Sequence, residues 1–268
     1  MKNLFKQFIS IMKLKGKTIL ITRGTSGIGL EAAKQFLEKG VHVIITGRNQ
    51  AKLDAAKAMY PGVIPIKSDV ASEEEAQLLF KEIEKLGGID ILYNNAGVGV
   101  EPSNLGISDV KHLQGAAYEM NINYLGVIRL NNLFLDMLKS RPETAIINTT
   151  SLLSYVPSLL EATYSSSKTA LAFYTTALRA HLGILKSHVK VFELIPPLVA
   201  TAMTVDRNDP KLSPEELVKA LVAGLEKDRF HIRVGSSKLV YILNRIFPKL
   251  TFNLVNPKKI NPLLNPDQ

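Results

Sequence analysis

The chain has 268 residues, 46% of them hydrophobic, with 33 lysines and arginines against 24 aspartates and glutamates for a formal charge of +9. This length and apolar content support one substantial core, and we expect a single domain over residues 13–268 after an extension of residues 1–12. The absence of cysteine excludes disulfides, a thiol nucleophile and cysteine-ligated zinc or iron–sulfur centres, and it fits a reducing, cytoplasmic setting.

Part of the positive charge sits at the ends. Lys2, Lys6, Lys13, Lys15 and Lys17 precede the first acidic residue, and the segment from Arg229 to Lys259 is also basic. Such charge suits nucleic acid, anionic lipid or a polyanionic small molecule. Without zinc-finger spacing, an RNA-binding aromatic motif or a long basic block, a nucleic-acid partner is not expected, and a phosphorylated cofactor needs only a few of these cations. No run reaches the ~18 apolar residues of a spanning helix. The stretch Leu4 to Met12 is apolar on one side and basic, which reads either as a weak membrane-surface anchor or as an unpacked extension before a start at Met12.

In chain order, the apolar run Thr18 to Ile21 ends at Thr22, and Gly24, Gly27 and Gly29 lead into a helical pattern that Gly40 stops. Val41 to Ile45 is a second strand, and Asn49 caps a helix reaching Met59. Val63 to Ile66 is a third strand. Ser72 with Glu75 predicts a capping box for a helix to Leu86. Ile89 to Tyr93 is a fourth strand, followed by a long helical region from Val110 to Leu138 and a strand at Ala145 to Ile147. A helix from about Ala162 to Leu182 and a strand from Val189 to Leu194 come next. The tail carries one more strand near Phe230 to Val234, after which prolines such as Pro248 and Pro257 argue against one long helix. Near-continuous apolar strands between helices predict an α/β fold, a doubly wound parallel sheet covered on both faces.

Three strand ends carry chemistry. Thr22-Arg23-Gly24-Thr25-Ser26-Gly27-Ile28-Gly29 joins a strand to a helix, where glycines permit a tight turn and close approach of a pyrophosphate to the helix N-terminus. The second strand ends Thr46-Gly47-Arg48 with no carboxylate for adenosine ribose hydroxyls; Arg48, with Lys52 a turn on, suits a 2′-phosphate and favours NADP(H) over NAD(H). Asp69-Val70 follows the third strand, where the carboxylate would accept from an adenine amino group or cap the next helix. Asn94-Asn95-Ala96-Gly97 follows the fourth, with side-chain amides to brace neighbouring backbone and a flat Ala-Gly floor.

Tyr164 and Lys168 stand one helical turn apart on a shared face. An ammonium beside a phenol lowers the phenol pKa, which would give a metal-free proton donor for a carbonyl or acceptor from an alcohol.

Together these residues resemble the short-chain dehydrogenase/reductase family from Lys17 to about Gly235. The family's Thr-Gly-x-x-x-Gly-x-Gly turn is matched by Thr22, Gly27 and Gly29, with Arg23 at the first glycine. Asn-Asn-Ala-Gly is present whole, and Tyr-x-x-x-Lys is Tyr164 and Lys168. The family asparagine and serine fall on Asn123 and Ser151. Thr201 matches the threonine after the sixth strand, although Pro197 replaces the usual glycine before it. The Pro196-Pro197 variant is similar to a bacterial, DltE-type branch.

The resemblance implies a Rossmann-type fold, hydride transfer between NADP(H) and a carbonyl or secondary alcohol, and self-association as a homodimer or tetramer. It implies that Ser151 holds the substrate oxygen, Tyr164 exchanges the proton, Lys168 supports the phenol and binds ribose, and Asn123 fixes a relay water. Thr22, Gly24, Ser26, Gly27, Ile28, Gly29, Arg48, Asp69, Val70, Asn95, Ala96, Gly97, Tyr164, Lys168 and Thr201 would hold the cofactor. Residues 99–108, 152–163 and 198–213 would close over the nicotinamide. Leu152, Leu153, Tyr155, Val156, Leu159 and Leu160 suggest a small apolar substrate. Arg23 and Pro197 open an alternative, a nucleotide-binding scaffold with impaired turnover. If the turn requires positive φ at Arg23, strain of about 1 kcal/mol follows.

Overall fold

The computed structural model describes residues 12–265. The amphipathic stretch before Met12 lies outside them. Seven strands, β1 (Thr18–Ile21), β2 (His42–Gly47), β3 (Val63–Lys67), β4 (Ile91–Asn94), β5 (Ala145–Thr149), β6 (Lys190–Ile195) and β7 (His231–Arg233), form one parallel sheet in the order 3-2-1-4-5-6-7. This is a Rossmann-type sheet. The chain winds outward from β1 to β3, then crosses back to β4 and winds the other way. That reversal opens a crevice beyond the carboxyl ends of β1 and β4, where ligands of such sheets bind.

The helices are α1 (Gly27–Glu38), α2 (Gln50–Met59), α3 (Glu73–Lys85), α4 (Val110–Met120), α5 (Gly126–Lys139), α6 (Ala162–Ile184), α7 (Pro214–Leu225), α8 (Ser236–Ile246), α9 (Pro248–Val255) and the short α10 (Asn261–Leu264). Strand residues alternate between the two covered faces. Ile19, Ile21, Val43, Ile45 and Tyr93 pack with Phe36 of α1 and Leu221 of α7, and Met12 already joins this core. Leu20, Ile44, Leu92 and Ile146 face the other way, against Leu79 of α3, Phe134 of α5 and Leu182 of α6. With both faces covered, the strands need no polar positions, which explains their continuous apolar sequence.

Local signals shape the helix ends. Asn49 accepts from Lys52 N at 3.0 Å as the cap of α2. Ser72 accepts from Glu75 N at 3.1 Å, but the expected box is only half made. The Glu75 carboxylate instead accepts from Asp69 N at 2.7 Å, tying α3 to the end of β3. The long helical region from Val110 is α4 and α5 joined through a π-helical turn, Asn121–Leu125. In the tail, Pro248 occupies the start of α9 and separates it from α8, since a proline has no N–H to continue a helix.

Candidate active site

The glycine turn after β1 is built by packing. A Cβ on Gly24 would lie 2.5 Å from Cβ of Ile45 on β2, and one on Gly29 would lie 2.2 Å from the carbonyl oxygen of Arg23. No larger residue fits at either position without moving the backbone. Thr22 Oγ1 accepts from Asn95 N and Ala96 N, both at 2.9 Å, and Asn95 Nδ2 donates to Thr22 O at 3.0 Å. Thr22, Gly24 and Gly29 therefore shape the turn and are not on the cleft wall, whereas Ser26, Gly27 and Ile28 line the cleft. Ser26 caps α1 with no side-chain bond of its own, and no acidic residue stands in the first turn. This arrangement leaves an N-terminus suited to an anion.

The cleft has two parts, and Arg23 lines both. The inner part is bordered by Ser151, Tyr164, Lys168 and Thr201. The outer part is bordered by Arg48, Lys52, Asp69, Val70, Ala96 and Gly97. Arg23 has φ +53°, the left-handed region that disfavours a side chain, and its guanidinium donates to the Gly97 carbonyl across the cleft. Burial, reinforced by the nearby Arg48 charge, lowers the Arg23 pKa. Apart from this arm, the residues fit a dinucleotide. Glycines open the turn, and a Cβ on Gly97 would lie 3.2 Å from Lys168 Nζ, so the absence of a side chain there keeps the floor clear beside the amine.

In the outer part, Arg48 lies 3.7 Å from Asp69, and the neighbouring Tyr118 hydroxyl, more than Asp69, raises its pKa. Asp69 Oδ1 accepts from Ala71 N at 2.9 Å, a local turn ahead of α3, so that one of its oxygens serves the backbone.

In the inner part, Tyr164 and Lys168 project from the first two turns of α6. The phenol lies beside the Ser151 hydroxyl, whose Oγ accepts from Leu153 N at 3.1 Å. The expected lowering of the phenol by Lys168 is not found. Burial raises the Tyr164 pKa above the ordinary tyrosine value, and Glu161 adds to the rise; the Ser151 hydroxyl and Arg23 pull downward. Lys168 is itself desolvated. Burial, then the charge of Arg23, lowers its pKa to about 8, and its Nζ donates to Thr149 O at 2.9 Å, 5.7 Å from the Tyr164 ring centroid. The cation is aimed at a carbonyl, not at the phenol oxygen.

Asn123 sits inside the π-helical turn, off the cleft wall. Its side chain accepts from Val98 N at 2.8 Å and donates to Val98 O and Ser167 Oγ, both at 2.9 Å. The amide is thus a brace between the segment after β4 and the Tyr164 helix, and its side chain has no remaining N–H for the expected water.

Three residues that the sequence reading did not single out lie at this site. Glu161 and Arg207 pair at 2.8 Å on the cavity wall, and buried Glu119 accepts from Val100 N at 2.9 Å and contributes to raising Tyr164. They come from separate parts of the chain, the end of α4, the residue before α6 and the segment after β6, so only the acidic residue three before Tyr164 offered a signal. Of the six apolar residues expected to surround the substrate, Leu152 and Leu153 line the cavity. Tyr155 turns away to pack on Tyr241 of α8, and Val156 is buried. Further apolar wall comes from Pro196, Pro197, Leu198, Val199, Met203 and Val255.

The family model described as short chain dehydrogenase matches residues 17–212. The chain is 32% identical over 228 residues to the uncharacterized oxidoreductase DltE of Bacillus subtilis (strain 168), covering 82% of this chain and 89% of that protein. It is similar to a short chain dehydrogenase from Burkholderia cenocepacia J2315 solved in complex with NADP, with 26% identity, a TM-score of 0.79, and coverage of 95% and 100% of the two chains. A short chain dehydrogenase/reductase from Burkholderia phymatum in complex with NAD shares the fold, at 21% identity and a TM-score of 0.78, with 96% and 98% covered. The chain belongs to the short-chain dehydrogenase family and, with it, to the nicotinamide-dependent oxidoreductases.

Proposed function

We propose that the protein transfers hydride between NADP(H) and the carbonyl or secondary alcohol of a small, largely apolar substrate, with Tyr164 as the proton donor and acceptor. The observation that carries this reading is the placement of the Tyr164 phenol beside the Ser151 hydroxyl on the wall of the inner cleft. Two hydroxyls on one wall can hold a carbonyl oxygen between them. Ser151 orients that oxygen, and Tyr164 protonates it as charge develops. A protonated phenol, kept so by burial, is the form needed for reduction. Lys168 Nζ stands beside Gly97 and would meet the ribose side of the cofactor. Thr201 lies against Gly27 and would meet the nicotinamide side. When bound, the nicotinamide supplies the hydride.

Ser26, Gly27 and Ile28 would hold the diphosphate; Asp69, Val70, Asn95, Ala96 and Gly97 would flank the adenosine half. Exposed Arg48 and Lys52 beside the outer cleft support a 2′-phosphate. The apolar wall from Leu152, Leu153, Pro196, Pro197, Met203 and Val255 supports an apolar substrate. Pro196-Pro197 supports the DltE-type branch. Exposed Val110 and Leu113 on α4 and Phe173 on α6, the last two 75% exposed, support pairing of two copies through these helices.

A panel of ketones and aldehydes with NADPH and with NADH tests the reading. Turnover of apolar carbonyls, faster with NADPH, is the expected result. The position of Arg23 across the cleft favours a second reading, a nucleotide-binding scaffold of low turnover; tight NADPH binding with no turnover on the whole panel would select it.

A further inference from the structure

We infer that the C-terminal helices form a docking surface for an anionic lipid bilayer. Between Arg229 and Asn265 the sequence holds Arg229, Arg233, Lys238, Arg245, Lys249, Lys258 and Lys259 and no aspartate or glutamate. Within this stretch, large apolar side chains stand in solvent: Leu239 at 58%, Ile246 at 60%, Phe247 at 55% and Leu250 at 50% exposure.

The exposed residues follow helical geometry. On α8, Leu239, Ile242 and Ile246 fall within a narrow arc at spacings of three and four, and Lys238 and Arg245 lie along its edge. Ser237, Val240 and Asn244 face the opposite side, and Asn244 Nδ2 donates to Tyr155 O at 2.7 Å, anchoring the helix to the domain. On α9, Leu250 and Leu254 share the outward face while Thr251 is buried. The break at Phe247-Pro248 joins both outward faces into one corner, where residues 245 to 250 are all exposed.

An apolar face edged by cations is the pattern of a helix lying in a lipid interface. No described helix is long and apolar enough to cross a membrane, so the surface would lie on the bilayer. The charge decides the occupant. A second copy seated on this face would bring its own cations against these, whereas anionic headgroups complement them. The face also adjoins the cleft. Asn256, after α9, accepts from Leu159 N at 2.7 Å and donates to Pro157 O at 2.9 Å, and Val255 lines the inner cavity. Docking would therefore put the apolar end of the cleft near lipid. The inference itself does not depend on the enzymatic reading.

Sedimentation of the full chain with vesicles of phosphatidylcholine alone, or of phosphatidylcholine mixed with phosphatidylglycerol, tests it. We expect binding to the mixed vesicles that declines with salt. Two variants should each weaken it about tenfold or more, Ile246→Ser/Phe247→Ser/Leu250→Ser and Arg245→Gln/Lys249→Gln, and removal of residues 1–11 should leave it. The charge variant decides the matter should the first fail to fold. No sedimentation of the full chain, or equal sedimentation of the folded variants, would overturn the inference. So would loss of binding only when residues 1–11 are removed. A dimer that the apolar variant splits, without vesicle binding by the full chain, would assign the face to a second copy.

Discussion

The guanidinium of Arg23 donates to the carbonyl of Gly97, a bond that ties the turn after β1 to the end of β4 across the cleft they border. The same side chain lies close enough to Tyr164 and Lys168 to favour the phenolate of the first and the neutral amine of the second. One residue thus links the shape of the nucleotide crevice to the proton chemistry beside it.

Arg23→Gly removes both the arm and the strain of φ +53°. We predict that NADPH binds this variant about tenfold more tightly and that the folded state gains about 1 kcal/mol. Fluorescence titration with NADPH and urea unfolding read the two effects. Weaker binding would mean that the guanidinium serves the diphosphate as a counter-charge.

Gly29→Ala places a methyl 2.2 Å from Arg23 O and 2.7 Å from Asn95 Nδ2. The neighbours are backbone and a bonded amide, so the turn must shift, at a cost of about 3 kcal/mol. Calorimetry should show Tm lowered by about 5 °C or more. An unchanged Tm would show that the turn is looser than this packing implies.

Much of this arrangement was legible in the sequence, for identifiable reasons. Strands buried on both faces read as unbroken apolar runs, and the spacing of Tyr164 and Lys168 needs only local helical geometry. What depends on distant partners was hidden. The direction of the Arg23 side chain is set by Gly97, 74 residues away, and the Glu161–Arg207 pair joins the start of α6 to the loop after β6. The phenol was misread because a spacing of four reveals that an amine is near, not that the amine is desolvated and turned toward Thr149 O. Tyr155 was misplaced because the short turn at Leu152–Ser154 rotates it from the cleft to α8.

The pH dependence of stability follows from Lys168. Its pKa falls from the ordinary lysine value of 10.5 to about 8 in the fold, so between these values the unfolded chain binds more protons and stability rises with pH. Below about pH 8 both states hold the proton and this dependence vanishes. Lys168→Met should abolish the rise between about pH 8 and pH 10, as measured by urea unfolding at a series of pH values. A rise of the same size in the variant would assign it to other groups.

Glu161 raises the Tyr164 pKa through its charge, after the larger effect of burial. Glu161→Gln should therefore move the alkaline limb of the reduction rate to lower pH. It should also free Arg207, which the carboxylate holds at 2.8 Å, so carbonyl substrates bearing an acid should gain relative to neutral ones. A pH–rate profile and a paired substrate comparison check both effects, and an unmoved limb would separate Glu161 from the phenol.

The most direct measurement compares wild type with Tyr164→Phe, following NADPH oxidation by an apolar ketone while nucleotide affinity is determined in the same preparations. Turnover reduced by about a thousandfold with NADPH affinity within about twofold is the predicted result. A variant that keeps its turnover would contradict the account, because the oxygen of residue 164 would then not be what delivers the proton.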